Sequence, residues 1–326
     1  MSKNSYDFDE LKSQVRSFGL LERAPIRGSV EMVAVIFSMI IVYVALYYYP
    51  EFIKGSLVAA VALGLFMTLV FTRAVFVSHD ILHTQYFKNK SLSFKLSYLF
   101  SAIILSNSSS WWDFKHNINH HTWCNIVQKD VDILAFDGAF THKKGNKKWL
   151  KKFKYLIFWG AMFFMYPAFI VQSYNFVIKR KKWNELIVML LHWPIIWGPV
   201  FYFLPMTEAI TVFVTLYLLL SAWLAFGFIT NHLGCEVFDK EVGDTLSWME
   251  LQMRTSRSLK GGAFVHWFYG GLNTQIEHHL FPKAPRFHLL KIQKLTKKFA
   301  QKNGIPYFET TIFQAYVQIN NVIKAY

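Results

Sequence analysis

The sequence predicts an all-α integral membrane protein: four transmembrane helices in two hairpins, interfacial or embedded helices, and a cytosolic cap. Three observations carry that reading: long apolar runs almost free of charge, basic clusters beside them, and histidines gathered at their ends. Hydrophobic residues make up 53% of the 326 and aromatics 18%. A soluble domain can approach that share, so the distribution decides the class and not the total. A helix of about 20 uncharged apolar residues is long enough to cross the hydrocarbon core of a bilayer.

Taken in order, residues 1–31 read as a polar arm with a short amphipathic helix carrying Phe8, Leu11, Val15 and Phe18. Asp7, Asp9 and Glu10 leave it no apolar signal-peptide core, so the first span is expected to direct insertion. Residues 32–49 and 56–77, separated by a turn at 50–55, form the first hairpin, 32–77; Arg73 sits near its end, where it can snorkel. Residues 78–185 read as a cytosolic or interfacial region. Within it, the apolar stretch 96–105 is too short to span. A second one, 155–171, is uncharged and contains Pro167. The runs 186–204 and 209–230, joined by Pro205-Met206-Thr207-Glu208, form the second hairpin, 186–230. Residues 231–326 are mixed in character, with amphipathic helices expected from Phe287 onward. All five segments are read as one domain, 1–326.

Charge sets the topology. The net charge is +15, and its densest clusters, 143–154 and 179–182, flank apolar runs. Nothing resembles a nucleic-acid-reading module, so the basic excess is assigned to the lipid bilayer and no nucleic-acid partner is expected. With two hairpins and both termini inside, the outer turns 50–55 and 205–208 hold one lysine and no arginine. Every basic cluster then faces the cytoplasm, as the positive-inside rule requires. A span at 155–171 would put 179–182 outside, so that segment is read as interfacial. Cys124 and Cys235 have no CxxC partner, which argues against a disulfide framework or a thiolate cluster.

Twelve histidines occur, and most fall into four groups. His79 and His83 follow the second apolar run in an HDxxH string. His116, His120 and His121 form HxxxHH; on an ideal helix His116 and His120 share a face and His121 is turned by about 100 degrees. His278 and His279 close a QxxHH string opened by Gln275, and His232 follows the last span beside Asn231. All four groups fall on the cytoplasmic side of a topology drawn from charge alone. Eight imidazoles exceed the roughly four ligands one metal takes, so two metals are expected. Imidazole suits iron, copper, zinc or nickel, and spacing does not choose among them. His142 and His288 read as solvated or interfacial. His192, inside a span, is assigned equally to function or to a hydrogen bond with a neighbouring helix. His266 is a candidate supporting residue near the third group.

The HDxxH, HxxxHH and QxxHH strings, in this order around two hairpins, resemble the three histidine boxes of the membrane fatty-acid desaturase family over residues 78–289. The string from Gly270 to Pro282 (GGLNTQIEHHLFP) is similar to the third box of front-end desaturases, whereas HxxxHH is a spacing more like bacterial members. Trp111-Trp112 and Asn125 with Asp130 and Asp132 also resemble the family. The resemblance implies two iron ions cycling between Fe2+ and Fe3+, O2 as co-substrate, and a fatty-acyl substrate in a tunnel. It implies box ligands at His79, His83, His116, His120, His121, His278 and His279, an added histidine at His232, and a box glutamine at Gln275. Asp80 and Glu277 are implied to orient imidazoles through their second ring nitrogen, with a helix-terminal charge in a polar face as an equal competing role. No fused cytochrome b5 domain is recognisable. Electrons are therefore expected from a separate donor such as a ferredoxin, or cytochrome b5 with its reductase. The setting is a bacterial inner membrane or, alternatively, the endoplasmic reticulum.

An unactivated methylene offers no acidic proton and no electrophilic carbon, so its oxidation belongs to the cofactor. Trp111, Trp112, Trp123 and Trp267 are candidates for the wall of an acyl channel, with ordinary packing as the competing role. A hydroxylase or acetylenase on the same irons is the nearest alternative. A membrane metal transporter is the rival from another class, although its ligands belong near the bilayer midplane rather than at helix ends.

Overall fold

The computed structural model describes residues 8–132 and 152–325; His142 and most of the basic cluster 143–154 lie outside them. Helices dominate. They are labelled here as α1 (Phe8–Ser17), α2 (Pro25–Tyr48), α3 (Leu57–Leu82), α4 (Lys154–Lys179), α5 (Trp183–Phe203) and α6 (Met206–His232). After these come α7 (Trp248–Thr255), α8 (Gln275–Leu280), α9 (Leu289–Asn303) and α10 (Ile312–Ala325). One departure from an all-helical chain is a two-residue parallel pairing of Ser258–Leu259 with Glu309–Thr310.

Five helices, α2 to α6, are long and apolar enough to cross a membrane, with mean hydropathy between 1.5 and 2.3 over the best window. Four of them cover the predicted hairpins. The fifth, α4, contains the segment that charge places at the interface; it is longer than the apolar run 155–171 because it continues through Gln172, Ser173 and Asn175 to Lys179. The 26 residues of α3 run about 39 Å at 1.5 Å each, so the helix continues past the apolar run and carries His79 on its last turn. Ser56 caps its start, accepting from Ala59 N at 3.2 Å.

Among the described residues the chain divides into two compact units. One is drawn from 24–113 and 160–226, and contains α2, α3, α5 and most of α4 and α6. Here the two hairpin turns meet: Gly55 N donates to Glu208 Oε1 at 2.7 Å. A Cβ added to Gly64 would lie 2.7 Å from Thr215 Cβ, so glycine is what allows α3 this close to α6. Glu185 is buried and accepts from Ser108 Oγ (2.8 Å) and Ser110 N (2.9 Å), which anchors the start of the Ser109–Trp112 helix.

The second unit is drawn from 8–23, 114–132, 152–159 and 227–325. Its core joins Leu11 and Val15 of α1 to Met249, Met253, Ile276, Leu280, Ile292 and Phe299. The predicted amphipathic arm is therefore part of a packed core, although Phe18 is exposed. Arg257, almost fully buried, secures the chain where α6 ends. Its Nε donates to Thr230 O and its Nη2 to Leu233 O, both at 2.8 Å, and its Nη1 reaches Gln318 of α10. Carbonyls left over at a helix C-terminus form the negative pole of the helix, which suits a buried cation.

Candidate metal centre

The second histidine group sits on a π-helical segment, Asp113–His120, followed by a short turn, His121–Trp123. On an ideal α-helix His120 would return over His116. With i→i+5 bonding the residue that returns is His121. The Nε2 atoms of His116 and His121 are 3.3 Å apart and their rings 4.7 Å apart, whereas His116 and His120 are 5.5 Å apart. The expected pairing thus shifts by one residue.

His232 from the end of α6 and His278 and His279 from α8 converge on this segment. Ring centroids lie 4.7 Å apart for His120 and His232, 5.0 Å for His120 and His279, and 4.8 Å for His232 and His279. His121 stacks on His279 at 4.3 Å and meets His278 at 4.8 Å. One ligand atom from each of His120, Cys124, His232 and His279 falls within 4.8 Å of the others.

The Nδ1 atoms show which way these rings are held. His120 Nδ1 lies 3.0 Å from Asp130 Oδ2. Asp130 is itself fixed by Asn125 N (2.9 Å) and Asp132 N (3.0 Å). Burial pulls the His120 pKa down, but the charges of Asp130 and Asp132 raise it above its usual value. Burial pushes Asp130 up, yet His120 and the backbone donors hold it at about 2. The pair is a charge-assisted hydrogen bond with its proton on His120 Nδ1. His232 Nδ1 donates to Thr255 O at 3.1 Å, with Cys124 Sγ also 3.3 Å from that nitrogen. Burial pushes the Cys124 thiol well above its usual value. His279 Nδ1 lies 2.6 Å from Gln252 Oε1, and its fully buried Nε2 has no hydrogen-bond partner among the described residues.

Gln275 also reaches the cluster: its Nε2 lies 2.9 Å from His232 Nε2, and its Oε1 accepts from Asn231 Nδ2 at 3.1 Å. Glu277, expected on an imidazole, instead accepts from Tyr307 OH (2.8 Å) and Ser258 Oγ (3.1 Å). Burial pushes its carboxyl up to about 7. Its observed role is to tie α8 to the small strand pair. His266 spends both nitrogens, at 2.9 Å from Asn273 Oδ1 and 2.9 Å from Arg286 O. A carbonyl can only accept, so Nε2 carries the proton toward Arg286. Turning the Asn273 amide lets its otherwise unpartnered Nδ2 donate to Nδ1. That uses up the ring and leaves no lone pair for a metal.

In the other unit, His79 and His83 lie at the end of α3 with rings 4.5 Å apart. Asp80 Oδ1 is 3.2 Å from His79 Nδ1, and Asp80 Oδ2 accepts from Tyr86 OH at 3.0 Å. Tyr86 lies flat on Gly28 of α2, where an added Cβ would sit 2.2 Å from its ring. Trp111 and Trp112 pack on Phe169 at 5.4 and 5.9 Å. Trp123 lies under Lys129 at 3.4 Å, and Trp267 is exposed beside Phe264. Sequence spacing gave no sign of Gln252, Thr255 O or Tyr86, because each meets its histidine or aspartate through the tertiary fold or a turn.

Clustered imidazoles whose Nδ1 atoms are held by acceptors are the donor set expected of a transition-metal site. Residues 56–311 match the family model described as "Fatty acid desaturase". The chain belongs to the fatty acid desaturase family. It is 28% identical over 282 residues to the "Acyl-lipid (9-3)-desaturase" of Physcomitrium patens, covering 82% of this chain and 53% of that protein. It is 28% identical over 328 residues to the "Delta(5) fatty acid desaturase fat-4" of Caenorhabditis elegans, covering 95% and 71%. To "Delta(8)-fatty-acid desaturase 1" of Arabidopsis thaliana it is 24% identical over 350 residues, covering 99% and 75%. The chain thus spans about half the length of the first of these relatives and about three quarters of the other two.

Proposed function

We propose that this chain is an O2-dependent fatty-acyl desaturase with two irons held by His79, His83, His116, His120, His121, His232, His278 and His279. The observation that carries the reading is the convergence of two buried imidazoles and one half-buried one whose Nδ1 atoms are held by Asp130, Gln252 and Thr255 O. Family membership supports iron as the metal and an acyl chain as the substrate. When bound, the iron pair supplies the oxidising power needed to remove two hydrogens from adjacent unactivated carbons.

The protein's own part is to orient and to exclude water. Asp130 keeps the His120 ring in one tautomer with Nε2 aimed at the cluster. Thr255 O does the same for His232, so each ring is fixed before the metal arrives. Burial of His120, His278 and His279 denies water access to the centre. Gln275, bonded between Asn231 and His232, lies where it can support or join the ligand set. Asp80, held by Tyr86, is assigned the orientation of His79.

For topology we propose two spanning hairpins, with both termini and all histidine groups on the cytoplasmic side and α4 at the interface. The meeting of Gly55 with Glu208 supports this, because both hairpin turns then lie on one side. A reporter inserted at 143–154 is expected to label from the cytoplasmic side only; external labelling would refute the topology. Electrons are proposed to come from a separate ferredoxin or cytochrome b5 with its reductase. The chain is assigned to a bacterial inner membrane or the endoplasmic reticulum.

Expression in a host of defined lipid profile, followed by mass spectrometry, tests the activity. New acyl species two hydrogens lighter are expected. Species heavier by one oxygen would mean hydroxylation on the same centre, and an unchanged profile with iron-loaded protein and a working electron donor would contradict the proposal.

A further inference from the structure

We infer that Gln252 is a positioning residue of the metal centre, locking His279 in a single tautomer and strapping the second histidine group to the third. The inference rests on the reading of the histidine cluster as a metal site.

Gln252 is fully buried on α7, and both ends of its amide are used. Nε2 donates to the backbone carbonyl of His121 at 3.1 Å, and Oε1 lies 2.6 Å from His279 Nδ1. The two contacts fix each other's sense. A carbonyl oxygen only accepts, so the NH2 group must face His121 and the amide oxygen must face His279. The His279 proton therefore resides on Nδ1. The lone pair of Nε2, buried and without a hydrogen-bond partner among the described residues, is left for a metal. One amide thus connects His121, on the second group, to a ring on the third, and those two rings stack at 4.3 Å.

Helix α7 is held independently of this contact. Ser247 Oγ accepts from Glu250 N at 3.3 Å, and Arg254 bonds Glu236 with its Nε at 3.0 Å and Glu250 with its Nη1 at 3.1 Å. The last residue of the same helix offers Thr255 O to His232. One short helix therefore orients two candidate ligands, one by a side chain and one by its backbone. The orienting group on His279 is also chemically distinct. A neutral amide polarises an imidazole less than the carboxylate that Asp130 presents to His120. The structure thus assigns unequal donor strength to two neighbouring imidazoles.

Cobalt(II) titration of the metal-stripped, detergent-purified chain, followed by visible ligand-field absorption, tests this without relying on turnover. Gln252→Leu removes both hydrogen bonds, whereas Gln252→Glu keeps an acceptor for His279 Nδ1 but loses the donor to His121. For Gln252→Leu, one of the cobalt equivalents is expected to bind about 10–100-fold more weakly while the other is unchanged. Gln252→Glu is expected to recover most of that loss, with a shifted absorption band. Wild-type affinity in Gln252→Leu would overturn the inference. Equal weakening in both variants would overturn the tautomer role, because only the strap to His121 would then matter. Failure of the wild-type chain to bind cobalt would overturn the metal reading itself and this inference with it.

Discussion

His279 and His192 are both deeply buried, and the contrast between their surroundings separates a ligand from a structural histidine. In the spans, His192 Nδ1 donates to Ile103 O at 2.9 Å and its Nε2 accepts from Trp197 Nε1 at 3.1 Å. Nothing is left over. At the centre, His279 spends Nδ1 on Gln252 and keeps a buried Nε2 with no hydrogen-bond partner among the described residues. Leaving a polar atom in that state costs about 1–3 kcal/mol, a cost that a metal bond would more than offset. His266 falls with His192, since both its nitrogens are engaged. Burial alone therefore does not mark a ligand: His279 keeps a nitrogen that His192 and His266 do not.

That contrast can be broken by substitution. The largest effect is expected for His120→Ala and His279→Ala, each lowering desaturation by at least about 100-fold with loss of bound metal, read by product analysis and metal content. Next comes Asp130→Asn, which keeps an acceptor but removes the charge beside His120. Metal affinity should fall about 10–100-fold while the chain still inserts, measured by competition with a chelator. His192→Leu should leave metal content unchanged and reduce stability by about 1–3 kcal/mol, because Ile103 O and Trp197 Nε1 lose their partner. A metal-depleted His192→Leu would erase the distinction. Smallest should be His288→Ala, which removes one bond to Leu20 O at 3.0 Å, worth about 0.5–1.5 kcal/mol in chemical denaturation.

The sequence made much of the fold legible. The apolar runs at 32–49, 56–77, 186–204 and 209–230 each fall almost wholly on a long helix. Their ends were less visible, since α3 continues through His79 and Asp80 on tertiary packing rather than apolar content. Charge counting and helix length give different answers for α4. The positive-inside rule weighs the loops, while length and hydropathy weigh only the segment.

At the centre, the histidines were legible because metal chemistry needs them clustered, and short spacings survive in sequence. The exchange of His120 for His121 as the partner of His116 was not, because a π-helical turn has no simple residue signature. Gln252, Tyr86 and the Thr255 carbonyl were equally hidden: an amide, a phenol and a backbone oxygen acquire their roles only when the fold brings them to an imidazole or its carboxylate. Glu277 looked like an orienting carboxylate from its place beside His278, yet its oxygens turn to Ser258 and Tyr307.

Metal analysis of the purified wild-type chain, paired with His279→Ala, tests the central claim most directly. About two irons per chain are expected in the wild type, as eight imidazoles at roughly four per metal require, with a clear loss of iron in the variant. An active wild type that carries zinc alone, or a His279→Ala chain that keeps both its iron and its activity, would contradict it.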